Sequence, residues 1–186
     1  FNGEIYNYLD IKNILKRRGY SFFSDTDTEV ALVALIEWGI KAFNYFNGDW
    51  VICFLDKKED KIILAKDNLG ILPIYIFENS KYFSFCSEIK GFEAIDGLEL
   101  NDELLGYANL TIQNFNGTKF KNVNQIAPGN YLEINFNNFS LKKKQWFSPL
   151  NNLIKIHPSF EVNKRELFDR LNKATELRLD ADIKIG

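Results

Sequence analysis

From Trp50 onward the chain is written in short β-branched and aromatic runs, Trp50 to Leu55, Lys61 to Ala65, Pro73 to Phe77 and Lys81 to Cys86. This limits the fold more than any other feature. Lys57-Lys58-Glu59-Asp60 separates the first two runs and Glu78-Asn79-Ser80 the last two, and both segments have hairpin-turn character. Strands joined by such short turns pair antiparallel, because a parallel pair needs a long crossover. A further hairpin is expected from Gly129 to Asn135 and Ser140 to Trp146 around Asn137-Asn138. Helices come mainly before this region. Asn7 and Asp10 have capping-box spacing ahead of Ile11, Ile14 and Leu15, which predicts a helix over Tyr8 to Arg18 closed by Gly19. Tyr20 to Phe23 reads as a short strand, and Thr26 with Glu29 forms a second capping box for a helix to Trp38, ended by Gly39. Short helices are expected at Glu88 to Glu93 and Asp102 to Ala108. The class is therefore α+β.

Ser148 to Phe160 carries Pro149 and Pro158 with little periodicity and reads as a linker. Beyond it Asn163 and Glu166 have capping-box spacing, and Leu167, Leu171 and Ala174 recur at helical spacing to about Leu179. That helix is expected to open a different domain. The sequence has no Met, begins at Phe1 and stops at Gly186 without a polar tail, so it reads as an excerpt of a longer chain.

With 23 basic against 25 acidic residues the net charge is -2, which offers no basic field for binding nucleic acid through its phosphates. No unbroken apolar run approaches the roughly 20 residues of a membrane-spanning helix, so no membrane partner is expected. Cys53 and Cys86 lack CxxC spacing and His157 is the single histidine, so no metal site is expected and a reducing cytoplasm is the simplest setting.

Few residues stand out chemically. Asn2-Gly3 most often makes a turn, yet an Asn amide and a glycine N–H side by side are also two neutral donors for a developing oxyanion. Asp27 at the start of a helix complements the helix dipole. With Thr26 already capping, Asp27 is also free to accept from a cationic group such as an α-ammonium. Cys53 and Cys86 alternate with bulky apolar neighbours and are expected in the core. His157 is expected at the surface, and Lys142-Lys143-Lys144 as a solvated edge that discourages strand pairing.

Several phrases in order are more specific. Phe1-Asn2-Gly3-Glu4-Ile5-Tyr6-Asn7 is followed by Thr26-Asp27-Thr28-Glu29-Val30, Glu37-Trp38-Gly39 and Phe46-Asn47-Gly48-Asp49-Trp50. Then come Ala65-Lys66-Asp67-Asn68-Leu69-Gly70-Ile71-Leu72-Pro73-Ile74-Tyr75, Phe85-Cys86-Ser87-Glu88-Ile89-Lys90, Ala127-Pro128-Gly129 and Gln145-Trp146. Together they resemble the class II glutamine amidotransferase domain of glutamine-hydrolysing asparagine synthetases. Arg178 to Gly186 resembles the lead-in to the synthetase domain of the same family.

The resemblance implies an Ntn-hydrolase-like, four-layer αββα sandwich of antiparallel sheets over residues 1–147, a linker over 148–160, and the start of an ATP-pyrophosphatase-type synthetase domain over 161–186. It implies that an N-terminal cysteine attacks the glutamine side-chain amide, with Asn2 and Gly3 as oxyanion donors, Glu4 helping to hold glutamine and Asp27 binding its α-amino group. That cysteine is expected upstream of Phe1, so this piece alone is expected to be inactive. In the parent enzyme, ATP and Mg would activate aspartate, which then receives the ammonia; none of these is expected to bind this piece. The expected partners are glutamine, aspartate and ATP and the chain's own synthetase domain, and a homodimer is compatible with the family. Asn68 and Leu72 replace the usual arginine and lysine of their phrase, and Lys184 a usual proline. These departures keep two alternatives open: a relative that amidates another carboxylate, as in cell-surface sugar or peptide synthesis, and a non-catalytic Ntn-like scaffold.

Overall fold

The computed structural model describes residues 1–79, 83–95, 97–102, 118–138 and 140–179. In chain order these form β1 (Asn2–Ile5), α1 (Tyr8–Arg17), α2 (Asp27–Trp38), β2 (Gly48–Asp56), β3 (Lys61–Lys66), β4 (Tyr75–Glu78), β5 (Phe83–Cys86), β6 (Val123–Gln125), β7 (Asn130–Asn135), β8 (Leu141–Gln145) and α3 (Phe160–Leu179). Short 3-10 stretches cover Gly39–Tyr45, Ile89–Phe92 and Pro149–Asn152. The expected helix from Asp102 to Ala108 lies outside the described residues after Asp102, as does the lead-in phrase after Leu179. The chain divides into two compact units, Phe1–Gly3 with Asp49–Phe147, and Glu4–Gly48 with Ser148–Gly186.

The first unit holds nearly all the strands. One sheet has the order β1-β2-β3-β7-β8 and the other β5-β4-β6. Every described pairing of known register is antiparallel, with Leu55 opposite Ile62, Leu64 opposite Leu132, and Ile76 opposite Phe85. β2 with β3, β4 with β5 and β7 with β8 pair antiparallel, as the hairpin expectations require, while Ser80 of the second expected turn lies outside the described residues. Alternation along the strands then sets the packing. Val51, Leu64 and Leu132 from the five-stranded sheet meet Ile76 of β4 together with Ile74 and Ile126 in one buried cluster. Their neighbours in sequence point the other way, so Phe77 and Val123 pack with Phe92 on the opposite face of the three-stranded sheet. Each such aliphatic or aromatic side chain contributes roughly 1.5–3 kcal/mol on burial.

In the second unit α1 packs on α2. Ile11 and Leu15 are buried one turn apart on α1, and Val30, Ala31, Ala34 and Leu35 are buried on α2. Gly39 ends α2 at φ +56°, its N–H bonded to the Leu35 carbonyl. α3 buries none of its residues, and Leu167, Phe168 and Leu171 remain exposed along it.

Three local expectations are corrected. Tyr20 to Phe23 is not a strand. The Asn7 side chain caps nothing; it accepts from Asn47 N–H at 2.9 Å and donates to the Tyr45 carbonyl at 2.9 Å, so it serves a contact 40 residues away. α3 starts at Phe160, ahead of the expected cap, because Asn163 sits inside the helix and reaches back to both backbone groups of His157.

Candidate functional site

Asn2-Gly3 does not form the turn that the pair favours in isolation; it lies in β1, with Asn2, Gly3 and Glu4 exposed in succession and Ile5 fully buried. Gly3 has φ +128°, a conformation that L side chains rarely adopt, and a Cβ there would fall on the Asp49 carbonyl oxygen. Gly48 has the reciprocal constraint, since its Cβ would fall on the Glu4 carbonyl oxygen. The two glycines therefore bring the backbones of β1 and the start of β2 into contact, and Tyr6 N–H continues the pairing to the Asn47 carbonyl at 2.9 Å.

Asp27 is the first residue of α2. Thr26 caps the helix as expected, accepting from Glu29 N–H through Oγ1 at 3.4 Å. Asp27 is not, however, simply turned outward. Its Oδ2 accepts the Ile5 N–H at 3.0 Å, and its Oδ1 lies 3.3 Å from the Thr28 hydroxyl, which donates to it. A carboxylate has about four acceptor sites. Two are used here, so Asp27 both ties α2 to the strand that carries Glu4 and retains capacity for a cationic ligand.

The loop before Asp27 is built as a polar network. Lys12 is only 4% exposed, and its Nζ donates to the Ser24 carbonyl at 2.6 Å and to Asp25 Oδ1 at 2.7 Å. The ammonium also lies 5.1 Å from the centre of the Phe22 ring, within cation–π range. The Glu29 carboxylate accepts from Phe23 N–H at 2.9 Å and from the N–H and hydroxyl of Ser24 at 2.7 and 2.6 Å. These donors hold the Glu29 carboxyl below its ordinary range, the Phe23 amide contributing most. The hydrogen bond from Lys12 does the same for Asp25. Glu29 thus spends its side chain on the loop and not on the Thr26 amide, which a full capping box would require.

In the first unit a buried acid organises a turn. Asp67 is fully buried and accepts from Trp50 N–H at 3.2 Å, Leu69 N–H at 2.8 Å and Gly70 N–H at 2.5 Å. Its own N–H bonds the Trp50 carbonyl, and its carbonyl accepts from Gly129 N–H at 2.8 Å. Gly70 sits at φ +71°, and a Cβ there would meet Pro128 Cγ at 2.6 Å, so the Asp67-to-Gly70 turn admits only glycine at its end. Trp146 completes the corner, donating through Nε1 to the Lys66 carbonyl at 3.1 Å and stacking on Trp50.

The two cysteines depart from expectation. Cys53 is exposed, because β2 leaves the buried core after Ile52, and Cys86 is half-buried with its Sγ donating to the Glu88 carbonyl at 2.7 Å. Burial of the sulfur atoms nevertheless raises both thiol pKa values, so neither is poised as a thiolate. His157 is exposed, as expected, but not idle: its Nδ1 accepts the Ser159 N–H at 3.0 Å just ahead of α3. Lys142, Lys143 and Lys144 lie on β8, the outer strand of its sheet, where Lys144 pairs with Glu133 at 3.1 Å. Among the described residues no group of three or more His, Cys, Asp or Glu is placed to hold a metal ion. No described helix is long and apolar enough to cross a membrane.

Of the residues singled out in the sequence, the structure joins Asp27 to the backbone of the motif strand and aligns Asn2, Gly3 and Glu4 along the exposed part of that strand. Sequence reading missed Lys12 and Asp67 as organisers. Asp67 had a signal in its spacing to Gly70, typical of an Asx turn. Lys12 had none beyond a charge next to Ile11 on the buried face of α1.

A family model described as glutamine amidotransferase domain matches residues 1–147. Glutamine-hydrolyzing asparagine synthetase 3 of Bacillus subtilis (strain 168) is 32% identical over 136 residues, covering 71% of this chain and 22% of that protein. Asparagine synthetase 1 of the same strain, also named glutamine-hydrolyzing, is 30% identical over 136 residues, covering 72% and 22%. The chain thus spans about a fifth of the length of these curated relatives. Among solved structures it is similar to glutamine phosphoribosylpyrophosphate amidotransferase from B. subtilis, with a TM-score of 0.56 and 19% identity over 78% of this chain and 28% of that one. That likeness establishes the fold, an Ntn-type α+β arrangement of antiparallel sheets.

Proposed function

The chain belongs to the glutamine amidotransferase domain family, and we propose that it is the glutaminase part of an ATP-dependent asparagine synthetase. In this reading a cysteine thiolate attacks the side-chain amide carbon of glutamine. The C–N bond then breaks with transfer of a proton to the leaving ammonia, and water hydrolyses the glutamyl thioester to glutamate. The Asn2 side-chain amide and the Gly3 N–H are the proposed oxyanion donors, Glu4 helps to hold the substrate, and Asp27 accepts the α-ammonium. Neither Cys53 nor Cys86 suits the nucleophile's role, since burial raises both thiols, so the reading places that residue ahead of Phe1 and expects no turnover by residues 1–186 alone. In the longer protein the ammonia would pass to an adenylated aspartate, with ATP and Mg supplied to the synthetase domain.

The observation that carries the reading is the hydrogen bond from Ile5 N–H to Asp27. It fixes a carboxylate with spare acceptor capacity beside the strand that carries Glu4, which supports a contact to the α-ammonium of an amino-acid substrate. The test is glutamate release from glutamine by the longer protein, with and without ATP and aspartate. Release stimulated by aspartate, with asparagine formed, supports the reading. Release indifferent to aspartate points to a different carboxylate acceptor, and no release by folded protein points to a scaffold.

A further inference from the structure

We propose that Lys12 is a positioning residue for the α-amino subsite: by clamping the 22–25 loop it sets where Asp27 stands against β1. The inference rests on the assignment of Asp27 to the glutamine α-ammonium. A lysine that is 96% buried normally needs a compensating role, because its ammonium gives up water. Here both hydrogen-bond partners of Nζ belong to the three residues ahead of Thr26: the Ser24 carbonyl at 2.6 Å and Asp25 Oδ1 at 2.7 Å. Ser24 then passes the constraint forward. Its hydroxyl donates to Glu29 at 2.6 Å and lies 2.9 Å from Thr26 Oγ1, the cap of α2. The next residue is Asp27, held to Ile5 N–H at 3.0 Å.

This chain of contacts joins the core of α1 to the first turn of α2 through groups with fixed geometry. The loop itself has no strand or helix hydrogen bonds to hold it. Without the Lys12 clamp, Ser24 and Asp25 lose their common anchor, and the loop ahead of α2 is left held by Glu29 through Phe23 and Ser24. Asp27 would still exist and still be charged, but its placement relative to β1 would spread over several arrangements. A misplaced contact to one substrate group costs affinity for that group specifically.

The experiment uses the longer protein and four variants, Lys12→Met, Lys12→Arg, Asp25→Ala and Asp27→Asn, each assayed with glutamine and with free ammonia. The probe for the subsite is glutaramate, which has the side-chain amide of glutamine but no α-amino group. For Lys12→Met we expect the glutamine KM to rise about tenfold, with kcat within about twofold, ammonia-dependent synthesis unchanged and the glutaramate inhibition constant unchanged. Lys12→Arg, which can still donate to Ser24 and Asp25, should restore most of the loss. Asp25→Ala alters a side chain that is 98% exposed, so it reads the same clamp without disturbing the core, and a rise of about threefold is expected. An unchanged glutamine KM in Lys12→Met, or in Asp25→Ala should Lys12→Met fail to fold, overturns the inference if Asp27→Asn does raise it. Equal losses with glutamine, glutaramate and ammonia also overturn it, since they would mark a general folding role. An unchanged KM in Asp27→Asn instead removes the assignment of Asp27 itself.

Discussion

A Cβ on residue 3 would occupy the space of the Asp49 carbonyl oxygen, and the backbone there has φ +128°. Gly3→Ala therefore forces β1 away from β2 and combines steric overlap with an unfavourable backbone region, costing about 3 kcal/mol or more. We expect a lower thermal midpoint in the longer protein and loss of glutamine-dependent turnover, read by calorimetry and glutamate release. Asp27 allows its two tasks to be separated. Asp27→Asn keeps an oxygen to accept the Ile5 N–H but removes the charge, so the glutamine KM should rise at least tenfold while the thermal midpoint and ammonia-dependent synthesis hold. Asp27→Ala leaves the buried Ile5 N–H without its acceptor and should additionally destabilise by about 1–3 kcal/mol. If Asp27→Asn binds glutamine normally, the α-ammonium contact is elsewhere. Asn2→Ala tests the other end of the strand. In its proposed role as an oxyanion donor Asn2 would stabilise charge only in the transition state, so its loss should lower kcat for glutamine about 10²- to 10³-fold with little change in KM. An unchanged kcat would take Asn2 out of that role.

At the scale of elements, the loop between α1 and α2 is held by ionised carboxylates. Glu29 has its pKa lowered chiefly by the Phe23 N–H, and Asp25 has its own lowered chiefly by the Lys12 hydrogen bond. A group whose folded pKa is depressed adds stability above its unfolded pKa and loses it as pH falls through the folded one. The loop should therefore keep full order at neutral pH and begin to lose it below about pH 4.5, the ordinary value for a glutamate. Hydrogen-exchange protection of the Phe23 and Ser24 amides, corrected for intrinsic rates, should fall between pH 5 and pH 3, on the order of tenfold. Constant protection across that range would show that the carboxylates do not hold the loop. This network also marks what sequence reading reaches. The strand runs, the pairing of β2 with β3 across residues 57–60 and of β7 with β8 around Asn137-Asn138, and the helix opened by Thr26 were legible because periodicity and turn residues are local signals. The strand expected at Tyr20 to Phe23 was not formed: the Tyr20 N–H turns back to the Leu15 carbonyl and the Phe23 N–H goes to the Glu29 carboxylate. Asn7 looked like a cap and is a bridge to Tyr45 and Asn47, a partnership with no spacing to read. The site was legible as a set of motif residues. What was not legible is that Asp27 holds the strand, and that buried Lys12 anchors the loop ahead of it.

At the scale of the whole chain, the family domain and the segment after it differ in how they use apolar residues. Within residues 1–147 the sheets turn their aliphatic faces toward each other and toward Phe92, leaving single apolar side chains at the surface, which is ordinary. After Phe147 the pattern inverts. Leu150, Leu153, Ile154, Ile156, Phe160, Leu167, Phe168 and Leu171 are all more than half exposed, and α3 buries nothing. A run of that kind gains free energy whenever another apolar surface covers it, at roughly 25 cal/mol per Å². Residues 1–186 in isolation should therefore self-associate, and the association should run through this segment. Leu167 and Leu171 lie one turn apart on α3 and are 60% and 58% exposed, so Leu167→Glu with Leu171→Glu removes part of the patch without opening a core. The double variant should leave the stability of the family domain nearly unchanged, within about 0.5 kcal/mol, because both side chains are more than half exposed. Light scattering coupled to size exclusion should show the mass shifting from oligomer toward monomer at equal concentration. If the variant instead unfolds, α3 is packed against the domain more tightly than its exposure indicates. If it associates as strongly as the parent, the sticky surface lies in the family domain and not in the segment that follows it.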